Sequence, residues 1–221
     1  MISIILVEPS IQGNIGAIAR SMKNFGFDKL IIVNPQCEIG QEARNRAKHA
    51  QDVLKKAKIL KKWPKMDYYV GSTGKLGSDY NIARSPVNPQ ELRNSLPSKG
   101  KIGLVFGRES TGLTNEEVDK CDFLVSIPAN KEYPILNLSH AVTILLYELS
   151  KKKDSTEHIT PIGATEKNQL QKSIDLVLDK MNFITEKRRE QQKIIWKKII
   201  GKSFLTKRES QSLLGFFRKL R

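Results

Sequence analysis

Only two cysteines and three histidines occur in the 221 residues, and that scarcity removes two chemistries at once. Cys37 and Cys121 cannot build a disulfide framework. With His49, His140 and His158 scattered along the chain, they offer no four-ligand zinc spacing either. Neither H-E-x-x-H nor C-x-x-C occurs, so no metal is expected. Long apolar runs are also missing: residues 2–7 and 141–149 are the longest, well short of the roughly 18 residues of a membrane span. No basic lead-in precedes the first apolar run, which argues against a secretory signal and for a reduced, cytoplasmic protein. The dinucleotide fingerprint G-x-G-x-x-G, the Walker loop and the G-x-S-x-G nucleophile elbow are absent as well.

Acidic residues are the other shortage. Lys and Arg number 38 against 23 Asp and Glu, a net charge of +15. The excess is uneven: residues 151–221 hold 18 basic and 8 acidic groups, net +10, and the first 150 residues only +5. Such a field draws polyanions and makes their binding salt-sensitive. Nucleic acid is the leading partner, ahead of a merely solubilising surface or an anionic membrane. With 39% hydrophobic residues the chain still has a core to bury, which excludes intrinsic disorder.

The first 150 residues alternate strand and helix patterns. Strands are expected at 2–7, 29–33, 68–71, 102–106 and 123–127. Between them the spacing predicts helices at 15–24 (with Asn14 as N-cap and Gly26 as the stop), 42–59, 89–96, a short one opened by the Thr114/Glu117 capping box, and 138–149. Repeated strand-then-helix units mean an α/β protein with a parallel sheet covered on both faces. Ligands in such sheets bind beyond the carboxyl ends of the strands. A polar linker (154–163) separates this unit, 1–153, from a basic helical extension, 164–221. Helices near 165–181, 186–200 and 206–220 are expected there, the last opened by a Thr206/Glu209 capping box. Sixty residues in three helices are marginal alone, so the extension should dock on the sheet domain or on a partner chain.

Three strand-end segments carry the chemistry. The first runs Asn14-Ile-Gly16-Ala17-Ile-Ala19-Arg20, with small residues on the opening turns of a helix. In the second, Phe106-Gly107-Arg108-Glu109-Ser-Thr-Gly112-Leu113, two glycines bracket an Arg–Glu pair. The third joins Ile127-Pro128 to Pro134-Ile135-Leu136-Asn137-Leu138-Ser139. Singly, each has a plain reading: a packed helix with a surface arginine, a solvated loop with a local ion pair, a helix capped by Asn137. His140 reads as an ordinary packed or capping residue. All three segments at strand ends of one sheet ask for more.

Together they resemble the SpoU branch of the SPOUT methyltransferases, the trefoil-knotted RNA 2′-O-ribose methyltransferases, over about residues 1–150. The matching patterns are N-x-G-x-x-x-R, F-G-x-E-x-x-G-L and I-P…L-N-x-S. The stretches V-E-P-x-x-x-G-N-I-G, G-R-E-x-x-G-L-T-N-E-E and L-N-L-S-x-A-V are most similar to the TrmJ-type tRNA enzymes, which modify the ribose of nucleotide 32. One departure is Ile135, where many bacterial relatives have Ser; it favours a cytidine-restricted variant.

The resemblance implies a knotted fold and S-adenosylmethionine as methyl donor, bound by Ser72, Thr73 and Gly74, by Phe106 and Gly107, and by Ile127, Leu136 and Leu138. It implies Arg20 as the central catalytic residue, Asn14 holding it, and Glu109 and Asn137 shaping the site. It further implies a homodimer with active sites at the subunit interface, formed on the small-residue face of the first helix, and a basic extension that grips tRNA. Two rivals stay open: the same chemistry on ribosomal RNA, and a catalytically silent RNA-binding protein on this scaffold.

Overall fold

A computed structural model describes residues 1–74, 86–97, 99–151 and 160–220. Most of the expected linker lies outside them. β1 (Ile2–Val7), β2 (Leu30–Val33), β3 (Lys58–Leu60), β4 (Tyr68–Ser72), β5 (Ile102–Phe106) and β6 (Phe123–Val125) form one sheet, ordered β3-β2-β1-β5-β4-β6. Every pairing is parallel. The order turns back between β1 and β5, the kind of switch point where open α/β sheets hold ligands. This is the expected α/β architecture, a parallel sheet flanked by helices and followed by a helical extension.

Side chains alternate across the pleat, and the two faces are covered unequally. Ile4, Leu6, Leu30, Ile32, Val70 and Leu104 enter the larger core. Against that face pack α1 (Gln12–Asn24), α2 (Gln41–Ala47), α3 (Gln51–Lys56), α4 (Pro89–Ser95) and α6 (Leu138–Ser150). Ile5, Val7, Ile31, Val33 and Val105 point the other way, into a smaller core. That core is closed by α5 (Asn115–Lys120), contributing Val118, and by Leu60, Trp63 and Met66 of the β3–β4 region.

Two expected elements differ. The single helix over 42–59 is broken into α2, a 3₁₀ turn at Lys48–Ala50, and α3, followed by β3. Apolar spacing runs through all of these, so periodicity could not reveal the break at Lys48, which has φ +50°. Ile59 then pairs with Ile32 at the sheet edge. Asn14 is not an N-cap. α1 begins at Gln12 with Ile11 before it and no side-chain cap, and Asn14 sits in the first turn. The expected caps Asn137, Thr114 and Thr206 do hold their helices, and Gly26 follows α1 at φ +78°.

The extension comprises α7 (Ala164–Lys180), α8 (Glu186–Ser203) and α9 (Lys207–Lys219) around a small core of Leu170, Ile174, Val177, Leu178, Ile200 and Phe217. It docks on the β4–β6 side of its own sheet domain. Phe204 caps α8 in the left-handed region and enters the main core, its ring 4.8 Å from Tyr68 and 5.9 Å from Phe123. Lys167 Nζ donates to Asp122 Oδ1 and to the Asp67 carbonyl, each at 2.6 Å, and lies 4.1 Å from the Tyr68 ring centroid. The Tyr68 hydroxyl donates to the Ile162 carbonyl at 3.0 Å. Burial pushes the Lys167 ammonium below its ordinary pKa, and Asp122 opposes that.

Candidate active site

Three strand-end loops enclose a cavity of about 160 Å³. Ser72, Thr73 and Gly74 follow β4, Phe106 and Gly107 end β5, and Ile127, Leu136 and Leu138 come from the segment between β6 and α6. All eight residues named above for the donor line the cavity. Its walls also include Leu113, Pro134 and Ile135 from the same motifs, and Val118, Val125 and Leu145, which the motifs did not single out.

Gly107 is required for a reason other than ligand approach. A Cβ there would lie 2.1 Å from the Gly112 carbonyl carbon. The 107–112 loop returns on itself, with Arg108 and Gly112 exchanging backbone hydrogen bonds and Gly112 at φ +70°. A Cβ on Gly74 would meet the Ile135 side chain at 2.8 Å. Both glycines serve protein neighbours first, and the close fit keeps the crevice walls where they are.

Glu109 organises the polar side of the site. Its carboxylate accepts from the Ser10 amide at 3.1 Å, the Ser10 hydroxyl at 3.0 Å, the Ile11 amide at 3.2 Å and Asn14 Nδ2 at 3.0 Å. It does for α1 what a cap would do, with the helix dipole in its favour. Burial raises its pKa, but the bonds from Asn14 and Ser10 outweigh this and hold it below the ordinary glutamate value. The chain of bonds continues: Asn137 Nδ2 donates to Asn14 Oδ1 at 3.2 Å, and Asn137 Oδ1 accepts from the Ser139 amide and hydroxyl. Asn14 therefore holds Glu109 and Asn137, not Arg20.

Arg108 and Glu109 do not pair with each other. Arg108 forks between Glu8 at 2.7 Å and Glu117 at 2.9 Å, tying the end of β1 to α5. Hydrogen bonding to Glu117 raises its already high pKa. His140 is exposed and not a cap.

Arg20 stands apart from this network. It lies six residues beyond Asn14, about 9 Å along the helix axis, is exposed, and makes no hydrogen bond or ion pair among the described residues. It is not in the cavity wall. The helices carrying Arg20 and Asn137 nonetheless run side by side: Asn14 meets Asn137 at one level, and Ser21 meets Thr143 at 2.6 Å further along. The small-residue face of α1 is occupied within the chain. A Cβ on Gly16 would fall 2.1 Å from the Ala43 carbonyl oxygen, and one on Gly13 2.6 Å from Glu42. That face is therefore unavailable to a partner.

The cavity suits a nucleoside: aliphatic walls, a phenyl ring and backbone polar groups at the strand ends. Among the described residues, no group of three or more His, Cys, Asp or Glu could hold a metal ion, and no helix is long and apolar enough to cross a membrane.

Residues 1–147 match the family described as SpoU rRNA Methylase. The tRNA (cytidine-2′-O-)-methyltransferase TrmJ of Methanocaldococcus jannaschii is 41% identical, over 99% of this chain and 99% of that protein. The enzyme of the same name from Sulfolobus acidocaldarius is 33% identical, over 99% and 93% respectively. Among solved structures, TrmJ from Z. mobilis superposes with a TM-score of 0.71 at 27% identity, covering 100% of this chain and 99% of that one.

Proposed function

The chain belongs to the SpoU RNA methylase family, and from that premise we propose that it is an S-adenosylmethionine-dependent tRNA 2′-O-ribose methyltransferase acting on nucleotide 32 of the anticodon loop, with cytidine favoured. The observation that carries this reading is the Glu109–Asn14–Asn137 hydrogen-bond chain at the edge of a cavity lined by Ser72–Gly74, Phe106–Gly107 and the Ile127–Leu138 segment.

When bound, the donor would supply an electrophilic methyl group on a positively charged sulfur, which is released as a neutral thioether when the methyl passes to a ribose 2′-oxygen. The backbone groups of Ser72, Thr73, Gly74 and Gly107 would hold the nucleoside, and Phe106, Ile127, Leu136 and Leu138 would exclude water from it. Glu109 is not the proton acceptor: its oxygens already accept four hydrogen bonds and its pKa is depressed, so it keeps the mouth of α1 in register with the β5 loop. Asn137 positions the α6 entrance. Arg20 grips an RNA phosphate and stabilises negative charge developing on the 2′-oxygen.

Arg20 is exposed and absent from the wall of its own cavity, which supports a homodimer in which each arginine serves the neighbouring crevice. Exposed Ile144 and Tyr147 on α6, the helix packed beside α1, supply apolar area for such an interface. Domain limits of 1–153 for catalysis and 164–221 for RNA binding fit the charge distribution. We assign the protein to the cytoplasm, where tRNA is modified. Calorimetry with S-adenosylmethionine, together with methyl transfer to separated tRNA and rRNA, tests the reading. Donor binding with labelled tRNA and unlabelled rRNA is expected; labelled rRNA alone, or no donor binding, contradicts it.

A further inference from the structure

The thinly covered face of the sheet is also basic. Trp63 packs on the smaller core with its ring 5.4 Å from Tyr69, and Lys120 Nζ lies 5.7 Å from the Trp63 ring centroid. Lys61, Lys62 and Lys65 are exposed and sit within two residues of Trp63, so their Cα atoms lie within about 8 Å of its own. From the opposite side α8 reaches the same patch. Lys197 donates to the Asp119 carbonyl, next to Lys120, and a Cβ on Gly201 would fall 2.8 Å from that of Asp122. Lys198 neighbours Lys197 on α8, and burial followed by the charge of Lys202 brings its pKa down to about 8, against the pull of Asp119. Asp122 offers this patch no compensation, because it is buried on Lys167.

Cations gathered on one face, four of them exposed, attract a polyanion. We infer that Lys61, Lys62, Lys65, Lys120, Lys197 and Lys198 form one phosphate-binding band, built jointly by the sheet domain and the extension, for the helical stem of the RNA whose loop enters the crevice. The inference rests on the tRNA reading above. Trp63 is taken up by Tyr69 and Lys120, so the band offers charge without an inserting aromatic. That suits an RNA backbone better than a bilayer.

The test measures binding of an unmodified tRNA transcript to the full chain across a salt series. The variants are Lys61→Glu with Lys62→Glu, Lys120→Gln, and a control pair, Lys55→Glu with Lys56→Glu, exposed on α3 against the other face of the sheet. The double band variant should weaken tRNA binding about tenfold and lower the log–log salt slope by about 2, and Lys120→Gln should lower it by about 1. Donor affinity should hold within about twofold. An unchanged slope, an equal effect of the control pair, or tighter binding to phosphatidylglycerol vesicles that the band variants abolish would overturn the inference. Wild-type protein that methylates tRNA with a slope indifferent to the band variants refutes the band and leaves the enzyme. Binding through the band with no methyl transfer refutes the enzyme and leaves the band.

Discussion

The crevice and the extension are held together by different means. In the crevice, short polar side chains from three remote segments satisfy one another: Glu109 with Ser10, Ile11 and Asn14, and Asn14 with Asn137. The extension is fixed by an inserted ring, Phe204, and one buried ion pair, Lys167–Asp122, while its surface carries the charge. Each crevice residue is held to fixed partners by geometry, so it can be replaced by few others. A surface lysine facing phosphate can be replaced by another nearby, so the extension is recognisable by composition instead of pattern.

The sharpest way to break this contrast is at Arg20. Arg20→Ala should lower methyl transfer at least about 100- to 1000-fold and leave donor affinity within about twofold by calorimetry. Loss of donor affinity with turnover intact at saturating donor would instead make Arg20 part of the donor pocket. The second test lies in the extension. Lys167→Met strands Asp122 in a buried site and should cost about 3–5 kcal/mol in urea unfolding. For the same reason deletion of the extension, which would also strip Phe204 from the main core, cannot isolate an RNA-binding role; charge variants can. Third, Gly107→Ala forces a Cβ into the Gly112 backbone and should cost about 1–3 kcal/mol, with donor affinity falling more than overall stability. Thr206→Ala removes the cap of α9 and should cost about 1 kcal/mol with no change at the crevice.

The smallest effect is one of pH. The Glu109 pKa is depressed in the folded protein, so its contribution to stability is present above the unfolded value of about 4.3 and is lost as pH falls through the lower folded value. Glu109→Gln should flatten the wild-type decline of the thermal midpoint in that acid window. An equally steep decline in the variant would remove Glu109 from the tie between α1 and the β5 loop.

Much of this was legible beforehand because strands and caps are local. β1 and β5 fall within the expected bounds, and the Thr114–Glu117 and Thr206–Glu209 boxes are both formed. Long-range effects were not legible. Asn14 has the chemistry of an N-cap, but a carboxylate 95 residues away claims it. Residues 42–59 keep helical spacing across a left-handed Lys48, because the same apolar positions face the core on either side of the break. Gly16 looks available to a partner until α2 folds against it. The motifs named the residues around the cavity, but no spacing could show that Arg20 would face outward from it.

The central claim is that the acceptor is the ribose 2′-oxygen of nucleotide 32 in tRNA. Labelled methyl transfer to paired transcripts, identical except for ribose or 2′-deoxyribose at cytidine 32, addresses it directly. The account predicts 2′-O-methylcytidine in the ribose transcript and no incorporation in its deoxy counterpart. Equal incorporation into both would contradict it.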